Sequence, residues 1–164
     1  MTESIPNMQH SFSYEKNKVI QGVRYHFVQD RAVKMLVILI NVFAIVSAAL
    51  FYSKKIRPEP FLLGSILWLV MMVTFWYVMP NSIYKKAATF KDHFTIQFLD
   101  AQVTLSNDRG SVHWNWEKFS KFFESPHFFH LYFDAKSFFL VPKDGMLDDM
   151  RHELRGLLNK KIGS

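Results

Sequence analysis

The side chains able to do chemistry in this chain of 164 residues are few. There is no cysteine, so disulfides, a thiolate nucleophile and Cys-based zinc or iron–sulfur sites are excluded. Among the seven histidines, His127 and His130 enclose two phenylalanines just after Pro126. Residues three apart on a strand point to opposite faces, so this pair reaches one ion only if a turn intervenes. Surface or hairpin histidines are the ordinary reading. Asp148 and His152 stand four apart near the C-terminus, where a helix would put carboxylate and imidazole on one face and let them ligate a metal. More ordinarily the carboxylates favour a helix start and the imidazole is solvated. His152-Glu153-Leu154-Arg155 lacks the second histidine of a zincin motif. No glycine-rich phosphate loop, Ser-His-Asp order or paired catalytic carboxylate emerges. The expectation is a chain that is not an enzyme and holds no cofactor, with His127, His130, Asp148 and His152 as its metal candidates.

The elements that position these residues begin with two apolar runs. Met35–Tyr52 and Phe61–Met79 contain no charged side chain. At about 1.5 Å per residue they span about 27 and 28 Å as helices, close to the roughly 30 Å of a bilayer's hydrocarbon. A soluble helix keeps polar residues on its outer face. Here Leu36 to Ile40, and Ile66 to Val70, are apolar all round. The link Ser53–Pro60 holds Pro58 and Pro60, which stop one helix and let the next begin. So short a link forces an antiparallel hairpin, with both termini on one side. Basic residues set the side: Lys16, Lys18, Arg24, Arg31 and Lys34 upstream, and Lys85, Lys86 and Lys91 downstream, against Lys54, Lys55 and Arg57 in the link. That bias predicts a multi-pass protein of the cell membrane with cytoplasmic termini. Trp76, Tyr77 and Tyr84 lie where aromatic rings favour the interface. Asn41 is the strongly polar group inside the spans. It offers a subunit or transport contact or, as the favoured reading, a hydrogen bond within the hairpin. Spans without an ionisable group argue against an autonomous transporter.

The net charge of +6 divides equally among residues 1–34, the link between the apolar runs and residues 80–164. No segment forms the basic stripe that phosphate neutralisation needs, so nucleic acid is not an expected partner. Membrane flanks meeting anionic headgroups account for the excess. The polar first 34 residues, and a first apolar run too long for a cleaved signal, argue against a signal peptide.

Residues 1–34 form an N-terminal arm. Met1–His10 reads as disordered or weakly extended, and Tyr14–Lys34 as an amphipathic helix lying either on the membrane or on the soluble module. Residues 80–164 form that module. From His93 the rhythm is strand-like: HFTIQFL and QVTLS, a turn at Asn107–Gly110, then SVHWNW, KFSKFFE, HFFHLYF, a DAKS turn and SFFLVP. Trp114 and Trp116 are two apart and expected on one sheet face, in the core or in a partner groove. Leu147, Met150, Leu154, Leu157 and Leu158 then recur at helical spacing, with acids before them and Lys160 and Lys161 after. The predicted fold class is α+β: a two-helix membrane hairpin, then a small antiparallel β domain closed by a C-terminal helix.

The stretch Asn115 to Met146 carries a resemblance. A Trp that opens a strand (Trp116), an aromatic hairpin at Phe122-Phe123-Glu124, the strand Phe138–Val141 and Pro142-Lys143 before the last helix are similar to the pattern of YcxB-like proteins, a bacterial membrane family. The resemblance implies a pleckstrin-homology-like fold for the module, and it implies no assigned reaction. A pleckstrin-like domain that binds phosphoinositides gathers basic residues in its first hairpin turn. The turn after HFTIQFL carries Asp100 and no Lys or Arg. The leading expectation is an interaction or regulatory module at the membrane, partnered by the bilayer and by a protein or a second copy. Asn41, Trp114, Trp116, Pro142 and Lys143 are its interaction or structural candidates. The alternatives are a lipid-handling or lipid-modifying enzyme and a homo-oligomeric scaffold.

Overall fold

A computed structural model of the protein describes residues 8–135 and 137–163. Met1–Asn7 of the arm and Lys136 of the DAKS turn lie outside the described residues. The chain divides into two compact units: residues up to Gly22 together with Ala87 onward, and Val23–Lys86 between them.

The first unit begins with a strand, where the sequence up to His10 reads as disordered or weakly extended chain. In β1 (Met8–Ser13), Met8, His10 and Phe12 point inward and Gln9, Ser11 and Ser13 outward. It pairs antiparallel with β2 (His93–Phe98), setting Met8 opposite Phe98 and Ser13 opposite His93. Its partner is remote in sequence, so local propensity gave no sign of the pairing. The strand continues into α1 (Lys16–Gln29). Up to Gly22 this helix belongs to the module, where an added Cβ on Gly22 would stand 2.9 Å from the Phe128 ring. From Val23 onward it belongs to the other unit. The helix is thus shared between the two units, with the division after Gly22.

The sheet continues through β3 (Gln102–Asn107) and β4 (Gly110–Asn115), in the order β1-β2-β3-β4. A second sheet holds β5 (Lys121–Glu124), β6 (Phe128–Tyr132) and β7 (Phe138–Pro142), in chain order and antiparallel. Ile96, Phe98, Val103, Phe129, Leu131 and Val141 are wholly buried in one core shared by both sheets. That core is closed by Leu154, Leu157 and Leu158 of α5 (Asp148–Lys161). Asp148 and Asp149 sit in its first turn and Lys160 and Lys161 in its last, as the helix dipole favours. Leu147, grouped with the helix's apolar face from sequence, instead precedes the helix and is 77% exposed.

The connection from β1 to β2 carries the entire second unit. The Asp30 carboxylate accepts from the Ala32 and Val33 amides at 2.8 and 3.1 Å and starts α2 (Arg31–Tyr52). After the turn, Pro58 begins α3 (Pro58–Val73), which runs on through a π-helical turn at Thr74–Val78 into α4 (Met79–Lys86). Arg31–Tyr52 and Pro58–Lys86 are each long and apolar enough to cross a membrane. Phe51 stacks on Phe61 with ring centroids 4.6 Å apart, and Phe43 packs 3.2 Å from the Cβ position of Gly64. Asn41 donates to the Val37 carbonyl at 2.7 Å, Ser65 to Phe61, Thr74 to Val70 and Asn81 to Tyr77. Each of these polar groups is satisfied by its own helix, which an apolar surround demands.

Candidate interaction surface

Alternation in the four-stranded sheet sends apolar residues to the core and one kind of residue outward. The outward positions are Gln9, Ser11 and Ser13 on β1, and His93, Thr95 and Gln97 on β2. On β3 they are Gln102, Thr104 and Ser106, and on β4 Ser111, His113 and Asn115. None is an acid, a lysine or an arginine. Ser11 and Thr95 share a hydrogen bond at 2.8 Å, the Gln97 amide donates to Gln9 at 3.3 Å, and Thr104 meets His113 Nδ1 at 2.9 Å. These cross-strand bonds fix a face of uncharged donors and acceptors. A groove of about 660 Å³ opens along it, lined among others by Ser11, Ser13, Thr95, Ser106 and Asn107. Asp108 and Asp144 bring carboxylates to this groove, and Lys18 pairs with Asp144 at 3.0 Å.

The edge strands of the two sheets differ. Beside the β1 edge the Tyr14 hydroxyl donates to the Leu140 carbonyl at 2.7 Å. Burial pushes the Tyr14 phenol up and the His10 imidazole down, so both stay neutral near pH 7. The β5 edge is four residues long and begins and ends on Lys121 and Glu124, charges of the kind that guard edges. The β4 edge is bare. Among the described residues β4 pairs with β3 alone, and Ser111, Val112, His113 and Asn115 are exposed. Val112 lies on the core-facing side of the sheet, opposite Leu105, yet is 51% exposed. No Lys, Glu, Asp or Pro interrupts Gly110–Asn115.

The residues singled out from sequence occupy other places. Trp116 is not on the strand with Trp114. It lies in a short 3₁₀ turn, Trp116–Lys118, buried, with its indole N–H donating to the Leu99 carbonyl at 3.0 Å. Trp114, at the end of β4, meets the rings of Phe119, Phe133 and Phe139 at 5.2 to 6.1 Å. Both tryptophans build the core. His130 is fully buried in β6, with Nε2 2.9 Å from the Ser125 hydroxyl, and so is no surface histidine. His127 precedes that strand. Asp148 pairs with Arg151 at 3.0 Å, and His152 Nδ1 lies 3.0 Å from Arg155 Nη1, so the two do not converge on a common point. Among the described residues no three His, Cys, Asp or Glu gather around a metal-sized space.

Lys143 joins a charge clamp that sequence reading missed. The Glu124 carboxylate accepts from Arg155 Nε and Nη2 at 2.6 and 2.8 Å and from Lys143 Nζ at 3.0 Å. The Arg155 guanidinium, followed by Lys143, lowers the Glu124 pKa to about 2. Arg151 adds a bond to the Lys143 carbonyl at 3.3 Å. The clamp ties β5, the turn after β7 and α5 together, with Pro142 buried beside it. Only the charge of Arg155 was visible in the sequence, not its reach back across 31 residues. Asp100, the acid of the β2–β3 turn, is held by Lys161 at 2.7 Å. With β1 in the sheet, that turn is the second connection, and the first is the helical insertion itself.

No curated protein and no solved structure matches the chain. The family model described as YcxB-like protein matches residues 98–157, from the end of β2 into α5. The matched range holds Glu124, Lys143 and Arg155, all three members of the clamp, together with the bare β4 edge. Residues 98–157 therefore carry a YcxB-like domain, the family that the Trp116 to Lys143 pattern resembles.

Proposed function

We propose that this protein is a membrane-anchored interaction module that docks an extended segment of a partner protein along β4. In this reading α2 and the α3–α4 helix cross the cell membrane, both termini lie in the cytoplasm, and the module is pleckstrin-homology-like. The basic flanks and the internally satisfied polar side chains support the membrane placement. Support for the fold comes from four strands, then three, then a closing helix.

The observation that carries the docking reading is β4 itself, an uncharged edge strand exposed on both faces. An unguarded edge presents unpaired N–H and C=O groups to any extended chain, and an added strand gains main-chain hydrogen bonds. The polar face beside it supplies uncharged donors and acceptors that suit a peptide backbone and polar side chains.

The test is photo-crosslinking in cells from a reactive residue at Ser111, with Lys121 on the β5 edge as control. A partner crosslinked from 111 and not from 121, and lost when Val112→Lys is added, supports the reading. Equal yields from both edges, or insensitivity to Val112→Lys in a folded variant, contradict it. A second copy of this chain captured at 111 would make the partner the protein itself.

A further inference from the structure

Within the second unit, α1, α2 and the end of α3 leave an apolar cavity of about 210 Å³. Phe27, Val37, Met72 and Phe75 line it, and so do two cations, Arg24 and Lys34. Arg24 is held in a fixed pose. Its Nε donates to the Trp76 carbonyl at 2.9 Å, and its guanidinium carbon lies 5.6 and 5.5 Å from the Trp76 and Tyr77 ring centroids. Trp76 belongs to the π-helical turn, an irregularity that recurs at functional sites because it re-aims backbone carbonyls. Among the described residues neither Arg24 nor Lys34 forms an ion pair, and no acid lines the cavity. The nearby Asp30 carboxylate is engaged in capping α2.

An apolar cavity alone holds an apolar group, and two cations without an acidic partner alone hold an anion. Here one space offers both, next to helices long and apolar enough to lie in a bilayer. From this we infer that the cavity is a binding site for one anionic phospholipid. An acyl chain lies against Phe27, Val37, Met72 and Phe75, and the headgroup phosphate is held by Arg24 and Lys34. Arg24 supplies geometry through its anchored fork and Lys34 supplies charge. The inference rests on the membrane placement of the hairpin and goes beyond the docking function of β4, with which it shares no residue.

Native mass spectrometry of the full chain in detergent, titrated with phosphatidylglycerol and with phosphatidylcholine of the same acyl chains, tests it. The expected result is retained phosphatidylglycerol. That preference should fall about fivefold with Lys34→Gln and by a similar factor with Arg24→Gln. Val37→Trp, which fills the cavity, should reduce retention of both lipids. Lys34 is exposed, so its substitution leaves the fold intact and decides the matter if Arg24→Gln does not fold. Equal retention of both lipids, or an anionic preference unchanged by Lys34→Gln, overturns the site. Washing membranes with alkaline carbonate separates the two failures. Release of the wild-type chain removes the membrane placement and the lipid site with it. A chain kept in the pellet but without anionic preference removes the lipid site alone.

Discussion

The module and the hairpin treat apolar side chains in opposite ways. In the module Ile96, Phe98, Val103 and Leu131 have no exposed surface, and both sheets and α5 converge on them. In α2 and α3 no residue is buried, and Leu39 and Leu63 are 66% and 70% exposed. The same residue types thus serve a core in one unit and an outward surface in the other. The module closes its own core, whereas the hairpin presents a surface that water disfavours and hydrocarbon does not. The polar groups follow the same division. In the module they bond across strands, as Ser11 does with Thr95, whereas Asn41, Ser65, Thr74 and Asn81 bond within their own helices. That difference underlies the membrane reading more firmly than helix length does.

The largest effect expected from this contrast comes from equal truncations in the two units. Phe98→Ala should cost the module about 3–5 kcal/mol, as cavity formation in a tight core does. Leu39→Ala should change unfolding in detergent by about 0.5 kcal/mol or less. Thermal unfolding of the two variants side by side measures both, and equal losses would break the comparison.

Two glycines sharpen it further. A Cβ on Gly22 meets the ring of Phe128, itself buried, at 2.9 Å, so Gly22→Ala should destabilise by about 1–3 kcal/mol. A Cβ on Gly64 meets Phe43 at 3.2 Å, but that ring is exposed and free to move. Gly64→Ala should be neutral or gain up to about 1 kcal/mol from helix propensity. Urea midpoints of the two variants decide the sign in each unit.

The charge clamp adds a smaller, pH-dependent effect confined to the module. The folded-state pKa of Glu124 is about 2, below its ordinary 4.5, so the clamp's contribution is fully present above pH 4.5. It is lost as pH falls from there toward 2, because the unfolded chain takes up the proton first. Glu124→Gln should cost about 1–2 kcal/mol near pH 7 and flatten the acid limb of the stability curve. Far-UV circular dichroism during acid titration reads that limb, and an unchanged limb would remove the clamp from the account.

Legibility in the sequence followed the distance between partners. The two helices were visible because their signal is local and continuous, and their observed ends extend the apolar runs by several residues at the polar flanks. The strands after His93 were visible as short β-rich pieces between turn residues, with alternation in the first two. β1 was not, since MQHSFS alternates with a histidine on its buried side and pairs only across the whole hairpin. The surface was hidden for the same reason: four strands of uncharged outward residues become one face only once the register is known. The clamp joins Glu124 to a helix 31 residues on, and no local pattern marks Arg155 as its partner. Trp116 was misplaced because a strand-like string, SVHWNW, ends in a 3₁₀ turn that swings its last ring into the core.

The central claim is that the hairpin crosses the bilayer with the module on the cytoplasmic side. The absence of cysteine makes it directly measurable, since each introduced thiol is the only one in the chain. Lys55→Cys, in the turn between α2 and α3, and Glu153→Cys, exposed on α5, are labelled in intact cells with a membrane-impermeant maleimide. The account predicts labelling of Cys at 55 in intact cells, and of Cys at 153 only after permeabilisation. Labelling of both positions alike, or the reverse pattern, would contradict it.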